Sequence, residues 1–380
     1  MIMRSKVKIG KVLFYFAWTL MIIHTAFSNS ILEKYTTSIV TIVGISIFLL
    51  KIVIDRHSAR EYMFILVTLC IGLIIWINTS DNRFMWMAIS ISAVKSIDIN
   101  GLQDYTVKIL SWVSAIIILS YIVLVHFSLI DSAETLSARG GNGMGFTHPN
   151  ILHQYILVIM ILYIVNRIDN ISVAKIIALE VFNILVYCVS LSRTGLLVFT
   201  LITIALIGYK TVTKKKTIVY IYFIFGVVLI FMFTILPILF LNHKEQLLGV
   251  DAILNGRLWQ GMHYYRDYGI HLFGNYMPEL YEEIVHWYLD IGFFRVLVLN
   301  GIIAYILFTG GQIKIMHDAM KKNDYRMFFL IFVMVLMSLV ESLGTYIFFN
   351  IGLLYLGRYI FKKNKYVGVN NENYIKKNRK

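Results

Sequence analysis

At 380 residues, 58% hydrophobic and 15% charged, with three prolines, the chain is too apolar for a soluble domain, which carries about 25% charged residues. Its formal net charge of +14 is spread over seven segments and not gathered in one groove, which argues against nucleic acid as a partner. The two cysteines, Cys70 and Cys188, fall inside apolar runs, so no disulfide framework is expected.

The apolar residues form repeated runs long enough to cross roughly 30 Å of hydrocarbon at about 1.5 Å per residue. Spans are predicted near 12–28, 36–54, 62–78, 84–97, 109–130 and 149–166. The second half adds 174–191, 196–209, 218–241, 291–312, 326–342 and 344–360. The first run, flanked by Arg4, Lys6, Lys8 and Lys11, has no small-residue cleavage site and eleven more runs follow it. It therefore reads as a retained span and not as a secretory leader. The expected fold is all-α, a polytopic membrane protein of about 12 transmembrane helices with a large outer loop between spans 9 and 10. Its parts are helices 1–9 over 1–241, an extracytoplasmic loop with an amphipathic helix over 242–290, helices 10–12 over 291–360 and a basic tail over 361–380. With the amino terminus inside, 27 of the 35 basic residues fall on inner segments, as the positive-inside rule requires. Both termini are then expected to be cytoplasmic, with the Lys- and Asn-rich tail drawn to anionic lipids of the inner leaflet.

Three outer segments collect residues that carry chemistry. The first runs from Arg139 through Gly140, Gly141, Asn142, Gly143, Met144, Gly145, Phe146, Thr147, His148 and Pro149 to Asn150. Its glycines allow close backbone approach to a ligand. Asn150, His153 and Gln154 then continue it into the next span as a polar stripe. A flexible loop followed by helix–helix hydrogen bonds would look the same. The second segment is the short turn Ser192-Arg193-Thr194-Gly195, where the arginine suits either lipid phosphate or an anionic ligand.

The third segment is the loop 242–290, the longest polar stretch of the chain. Asn255-Gly256-Arg257-Leu258-Trp259 reads as a turn and a helix start, with Arg257 aimed outward. Arg266 and Asp267 follow. Glu279, Glu283, His286 and Asp290 share one helical face and Leu280, Ile284, Trp287 and Ile291 another, which predicts a helix lying on the membrane surface. A solvated acidic face accounts for Glu279, Glu282 and Glu283. His286 and Asp290, at the membrane end, are the candidates for proton transfer. Glu341, near the outer end of span eleven, is placed to pair with an outer arginine, and Glu180 is placed to pair with Lys175. Neither zinc-ligand spacing nor a nucleotide-binding glycine pattern occurs, so no metal or cofactor is expected.

Together these pieces resemble the Wzy-type polysaccharide polymerases of O-antigen, capsule and exopolysaccharide synthesis, which share an architecture with O-antigen ligases. The resemblance rests on Gly145-Phe146-Thr147-His148-Pro149-Asn150, Ser192-Arg193-Thr194-Gly195, Gly256-Arg257-Leu258-Trp259, and Asp290 followed by Gly301. It implies a glycosyltransferase at the outer membrane face that lengthens undecaprenyl-pyrophosphate-linked glycans without metal. Arg193 and Arg257 would hold the pyrophosphate, with Arg139, His148, Asn150 and Arg266 as further substrate contacts. Asp290 would be the base, helped by His286. The ligases have His-Asn where this chain has Asp290-Ile291 and the polymerases often have Asp-Asn, so Asp290 favours a polymerase while Ile291 departs from both. Membrane lipids and a chain-length regulator are the implied partners. The alternatives are a ligase, which differs only in acceptor, and a flippase for the same lipid-linked unit.

The topology is testable directly. In a background lacking Cys70 and Cys188, a cysteine at Gln246 should react with an impermeant maleimide added outside intact cells. Reaction only after permeabilisation would reverse the orientation.

Overall fold

The computed structural model describes residues 2–36, 38–131, 135–137, 140–277 and 289–361. Among them every regular element is helical, apart from two isolated bridges, Ser30 with Phe146 and Leu136 with Asn142. The first half holds α1 (Ile2–Ser28), α2 (Ser38–Ile54), α3 (Ala59–Thr79), α4 (Arg83–Ala93), α5 (Ile99–His126) and α6 (Pro149–Asn166). The second holds α7 (Val173–Ser190), α8 (Arg193–Thr211), α9 (Lys215–Asn242), α10 (Lys244–Ile253), α11 (Arg257–Tyr268), α12 (Gly292–Lys322) and α13 (Tyr325–Ser338). Eight of these, α1, α3, α5 to α9 and α12, are long and apolar enough to cross a membrane. The chain is a polytopic, all-helical membrane protein.

Burial sorts the helices by depth in the bundle. On α9, Ile221, Phe225, Val228, Met232 and Ile235 recur at helical spacing and stand exposed, a stripe suited to lipid. On α13 every residue from Met327 to Ser338 is buried. A helix that is apolar all round belongs at the centre, and there Tyr222 of α9 stacks on Phe332, ring centres 5.4 Å apart.

Two of the predicted spans are not full-length α-helices. The run 84–97 gives α4, only 11 residues long, a rise of about 16 Å. It stops before Ser96, which sits at φ +64°. The run 344–360 gives mainly tight 3-10 turns, at Ser342–Thr345 and Ile351–Leu356. Here the Asn350 amide donates to the carbonyl of Gly344 at 3.0 Å, a side-chain bond that competes with α-helix. The two segments run side by side. The Arg83 guanidinium lies 4.3 Å from the Tyr346 ring centre at one end, and Lys95 Nζ lies 5.6 Å from that of Phe361 at the other. Lys95 also pairs with Glu61 at 2.7 Å, while buried Lys51 pairs with Asp55 and donates to the Lys95 carbonyl at 3.0 Å. Paired charges therefore tie α2, α3 and α4 at that end.

The opposite end, where α1 finishes and α8 begins, carries α10 and α11 and is called the loop end below. α11 lies close against α9, and a Cβ on Gly261 would come within 2.8 Å of the Pro237 ring. Within α12, Val296–Asn300 forms a π-helical turn. The segment 271–275 docks on this widened turn. Asn275 donates its backbone N–H to Leu299 O at 2.9 Å and its amide to Val298 O at 2.8 Å. Ile302 and Ile303 donate to the carbonyls of His271 and Leu272 at 3.0 and 3.2 Å. Backbones this close require glycine on both sides. Gly274 and Gly301 stand at φ +87° and +92°, and a Cβ on Gly301 would lie 2.3 Å from the nitrogen of Gly274.

Gly274→Ala and Gly301→Ala should each lower the melting temperature of the detergent-solubilised protein, because both add strain at positive φ and overlap with backbone. Gly310→Ala should not, since nothing lies within 4 Å of the added methyl. Equal melting of all three variants would show that the 271–275 segment does not dock on α12 this way.

Candidate functional site

The site is organised by the first turn of α11. Asn255 and Gly256 both have positive φ, +59° and +82°, and reverse the chain between α10 and α11. Asp251, near the end of α10, is buried, and its Oδ1 accepts from the backbone N–H groups of Leu258 at 2.8 Å and Trp259 at 3.1 Å. This carboxylate satisfies donors that a helix start leaves orphaned and favours the positive end of the helix dipole. With the start fixed this way, Arg257 points into the bundle and is 5% exposed. The expectation that it aims outward is corrected.

Inside, the Arg257 guanidinium joins three segments. Nη1 donates to Thr194 Oγ1 of α8 at 3.1 Å. Nη2 donates to Glu341 Oε1 at 2.8 Å and to Asp290 Oδ2 at 3.3 Å. Its Nε has no acceptor among the described residues. Glu341 is buried, and its other oxygen accepts from the Gln154 amide of α6. The pairing of Glu341 with an outer-segment arginine is thus present, and Gln154 of the polar stripe anchors it.

Asp290 keeps 31% of its side chain open. Burial raises its carboxyl pKa above the ordinary value, and the charges of Arg257 and Arg295 oppose that shift. Nearby, His148 caps α6, with Nδ1 accepting the N–H of Asn150 at 3.1 Å. This bond assigns the neutral tautomer with its proton on Nε2. Partial desolvation lowers the His148 pKa, and the charge of Asp290 works the other way.

Arg193 opens α8 beneath a cap in which Ser192 Oγ accepts from Gly195 N at 3.4 Å. It is exposed, with no hydrogen bond or ion pair among the described residues. The start of α8 adds the positive end of a helix dipole at the same place. A buried chain of polar groups supports the turn. Ser190 Oγ accepts from Ser192 N at 3.3 Å and meets His153 Nδ1 at 2.9 Å, and His153 Nε2 meets Asn183 at 2.8 Å. Asn183 reaches Glu180 at 3.3 Å, and Glu180 also accepts from Thr200 at 2.6 Å and Thr203 at 2.9 Å. Glu180 is therefore held by hydroxyls of α8 and an amide of α7. Its expected pairing with Lys175 is corrected.

Arg193, Thr194, Arg257, Asp290 and Asn150 line one end of a cavity of about 560 Å³ between α8, α9 and α13. Away from this polar head the walls are apolar, with Leu197, Leu201 and Ile204 of α8 facing Phe225, Leu229 and Phe233 of α9. From Arg193 to Ile204 the helix rises about 16 Å. Leu197, Leu201 and Ile204 are 58–61% exposed, so the cleft opens sideways along its length. Such a shape accepts a diffuse anion at the head and an apolar chain below it.

Of the residues named from sequence, Arg193, Arg257, Asp290 and Asn150 share this cavity, and His148 adjoins it. Arg266 does not join them. It is 53% exposed, pairs with Asp267 at 2.8 Å and stands nine residues past Arg257, about 13 Å along the helix. Arg139, His286 and the surface helix predicted over 279–290, except Leu289 and Asp290, lie outside the described residues. Two residues escaped the sequence reading. Asp251 gave no pattern to find it by. Arg295 is a buried arginine donating to Leu289 O at 3.4 Å and acting on Asp290; an ionisable residue inside an apolar run was a sufficient sign. Comparison with protein-family models, curated proteins and solved structures gives no match.

Removing the guanidinium leaves two carboxylates without their shared cation. Breaking one side of a buried pair costs about 3–5 kcal/mol, so Arg257→Ala should melt well below the parent protein. Arg193→Ala should melt like the parent, and adding Glu341→Gln to Arg257→Ala should restore part of the loss. Parent-like melting of Arg257→Ala would remove the network from the site.

Proposed function

We propose that the protein is a polysaccharide polymerase that joins undecaprenyl-pyrophosphate-linked oligosaccharide repeat units at the outer face of the membrane. The observation that carries this reading is the two-part cavity, with arginines and a helix start at its head and a lipid-facing apolar cleft below. A pyrophosphate with a long isoprenoid tail has the same division into a charged head and an apolar chain. On this reading both termini are cytoplasmic and the 242–290 loop is outside.

The chemistry follows from the charges at the head. The acceptor hydroxyl attacks the anomeric carbon, the bond from that carbon to the pyrophosphate oxygen breaks, and undecaprenyl pyrophosphate leaves. Arg193 and Arg257 take up the negative charge of the leaving group, with the start of α8 adding to them. At an effective dielectric near 20, one charge pair at 4 Å is worth roughly 4 kcal/mol. Asp290 accepts the hydroxyl proton. Its raised pKa makes it a better base than an ordinary carboxylate near neutrality.

The test is the glycan size distribution of a deletion strain complemented with variants. Loss of the gene should leave single repeat units; unattached long chains would indicate a ligase instead. Arg193→Ala and Asp290→Asn should fail to restore polymer, and Arg193→Lys should restore little, because a point charge cannot reproduce bidentate contact with phosphate. The base must be deprotonated, so the rate should fall as pH drops through a value above the ordinary aspartate pKa of about 3.9. Full-length polymer from Asp290→Asn would remove it as the base.

A further inference from the structure

A second cavity, of about 200 Å³, lies at the loop end between the finish of α1, the start of α4 and residues 346–348. It is smaller than the roughly 300–1,000 Å³ of drug-sized sites, so it suits a ligand of about one ring. Ser28, Asn29, Asn82, Arg83, Trp86 and Tyr346 line it. Several of these have hydrogen-bonding capacity to spare. Asn29 commits its amide nitrogen to the Thr25 carbonyl at 2.7 Å, which leaves its Oδ1 unspent. The Ser28 hydroxyl, the Asn82 amide and the Trp86 indole N–H make no hydrogen bond among the described residues. Trp86 is 6% exposed and lies tilted against Phe348, ring centres 5.9 Å apart, so its N–H, without an acceptor among the described residues, is a donor on a side chain otherwise enclosed.

The charges here are already matched. Arg83 lies 3.5 Å from Asp81, 3.5 Å from Thr345 Oγ1 and against the Tyr346 ring. Both ring nitrogens of His24 are engaged, with Thr36 at 2.6 Å and Thr41 at 3.0 Å. What remains is a set of neutral donors and acceptors beside aromatic rings. A sugar matches that set, because its hydroxyls both donate and accept while its carbon face packs on an indole.

Two short paths tie this cavity to the reacting groups. Thr345 is four residues past Glu341, at most about 14 Å even if extended, and Ser342–Thr345 is coiled. On the other side, Asn29 O accepts from Thr147 N at 3.1 Å, and Thr147 precedes His148, which feels the charge of Asp290. The cavity is lined by α1 and α4, whereas the lipid cleft is lined by α8 and α9. We propose that it seats a neutral sugar ring of the acceptor glycan while the donor lipid occupies the other cleft. The acceptor role rests on the polymerase reading; the sugar site stands on its own lining.

Saturation-transfer NMR on the purified full-length protein tests this, with free neutral hexoses and N-acetylhexosamines as probes and glucuronic acid as the charged comparison. At least one neutral sugar should bind and glucuronic acid should not. Ser28→Phe, which fills the cavity, and Asn82→Ala, at an exposed and mild position, should each weaken binding about tenfold, the worth of one or two hydrogen bonds. Arg193→Ala should leave it unchanged. In the polymerisation assay Asn82→Ala should raise the acceptor KM and spare kcat. Absence of neutral-sugar binding, or binding indifferent to both variants, would overturn the site. Sugar binding lost on Ser28→Phe in a protein whose deletion does not affect glycan length would sink the polymerase reading and leave the sugar site standing.

Discussion

One buried cation holds the loop end together. The Arg257 guanidinium reaches α8 through Thr194, the entry to α12 through Asp290 and the segment after α13 through Glu341. Two of these contacts are to carboxylates that would otherwise lack their shared cation at the edge of an apolar bundle, at a cost of several kcal/mol. The same guanidinium sits at the polar head of the cavity between α8, α9 and α13. On the proposed reading, holding the fold and neutralising a ligand are one electrostatic task, and among the described residues the Nε–H has no acceptor.

Two carboxylates converge on one nitrogen of that cation. Their mutual repulsion disfavours the state in which both are ionised without a further positive charge. Arg295, buried five residues past Asp290, supplies part of that charge from behind, and Arg193 faces the same space from the front. Of the two carboxylates, Asp290 is the more open, and Glu341 is enclosed and fixed by Gln154. That division makes Asp290 the group able to exchange a proton with a ligand and Glu341 the group that sets the position of Arg257.

Much of the site was legible because polar residues are rare in this chain. Arg193 and Glu341 stand out against apolar runs, where a charge needs a reason to persist, and Arg257 and Asp290 belong to the one long polar stretch of the chain. The direction of Arg257 was not legible, since it depends on two positive-φ residues and a cap donated from six residues upstream. Arg266 was grouped with Arg257 by nearness in sequence. Nine residues are two and a half helical turns, which puts the two arginines on opposite faces of α11. That the chain holds several membrane-crossing helices was readable from hydropathy, but the shape of each apolar run was not. The run 84–97 was already short in the sequence, while the coiling of 344–360 goes with a side-chain bond from Asn350 to Gly344 that hydropathy does not report.

The sideways opening of the cleft has a consequence for rate. A ligand with an apolar tail can reach the arginines without leaving the bilayer, so its encounter with the site is a search in two dimensions. The quantity that sets occupancy is then the number of tailed molecules per area of leaflet and not their concentration in bulk water. On the proposed polymerase reading, a spent carrier drifts out along the same mouth, and carriers still loaded compete with it there. On that reading turnover depends on how quickly the membrane clears its own spent lipid, a property of the surrounding leaflet as much as of the protein.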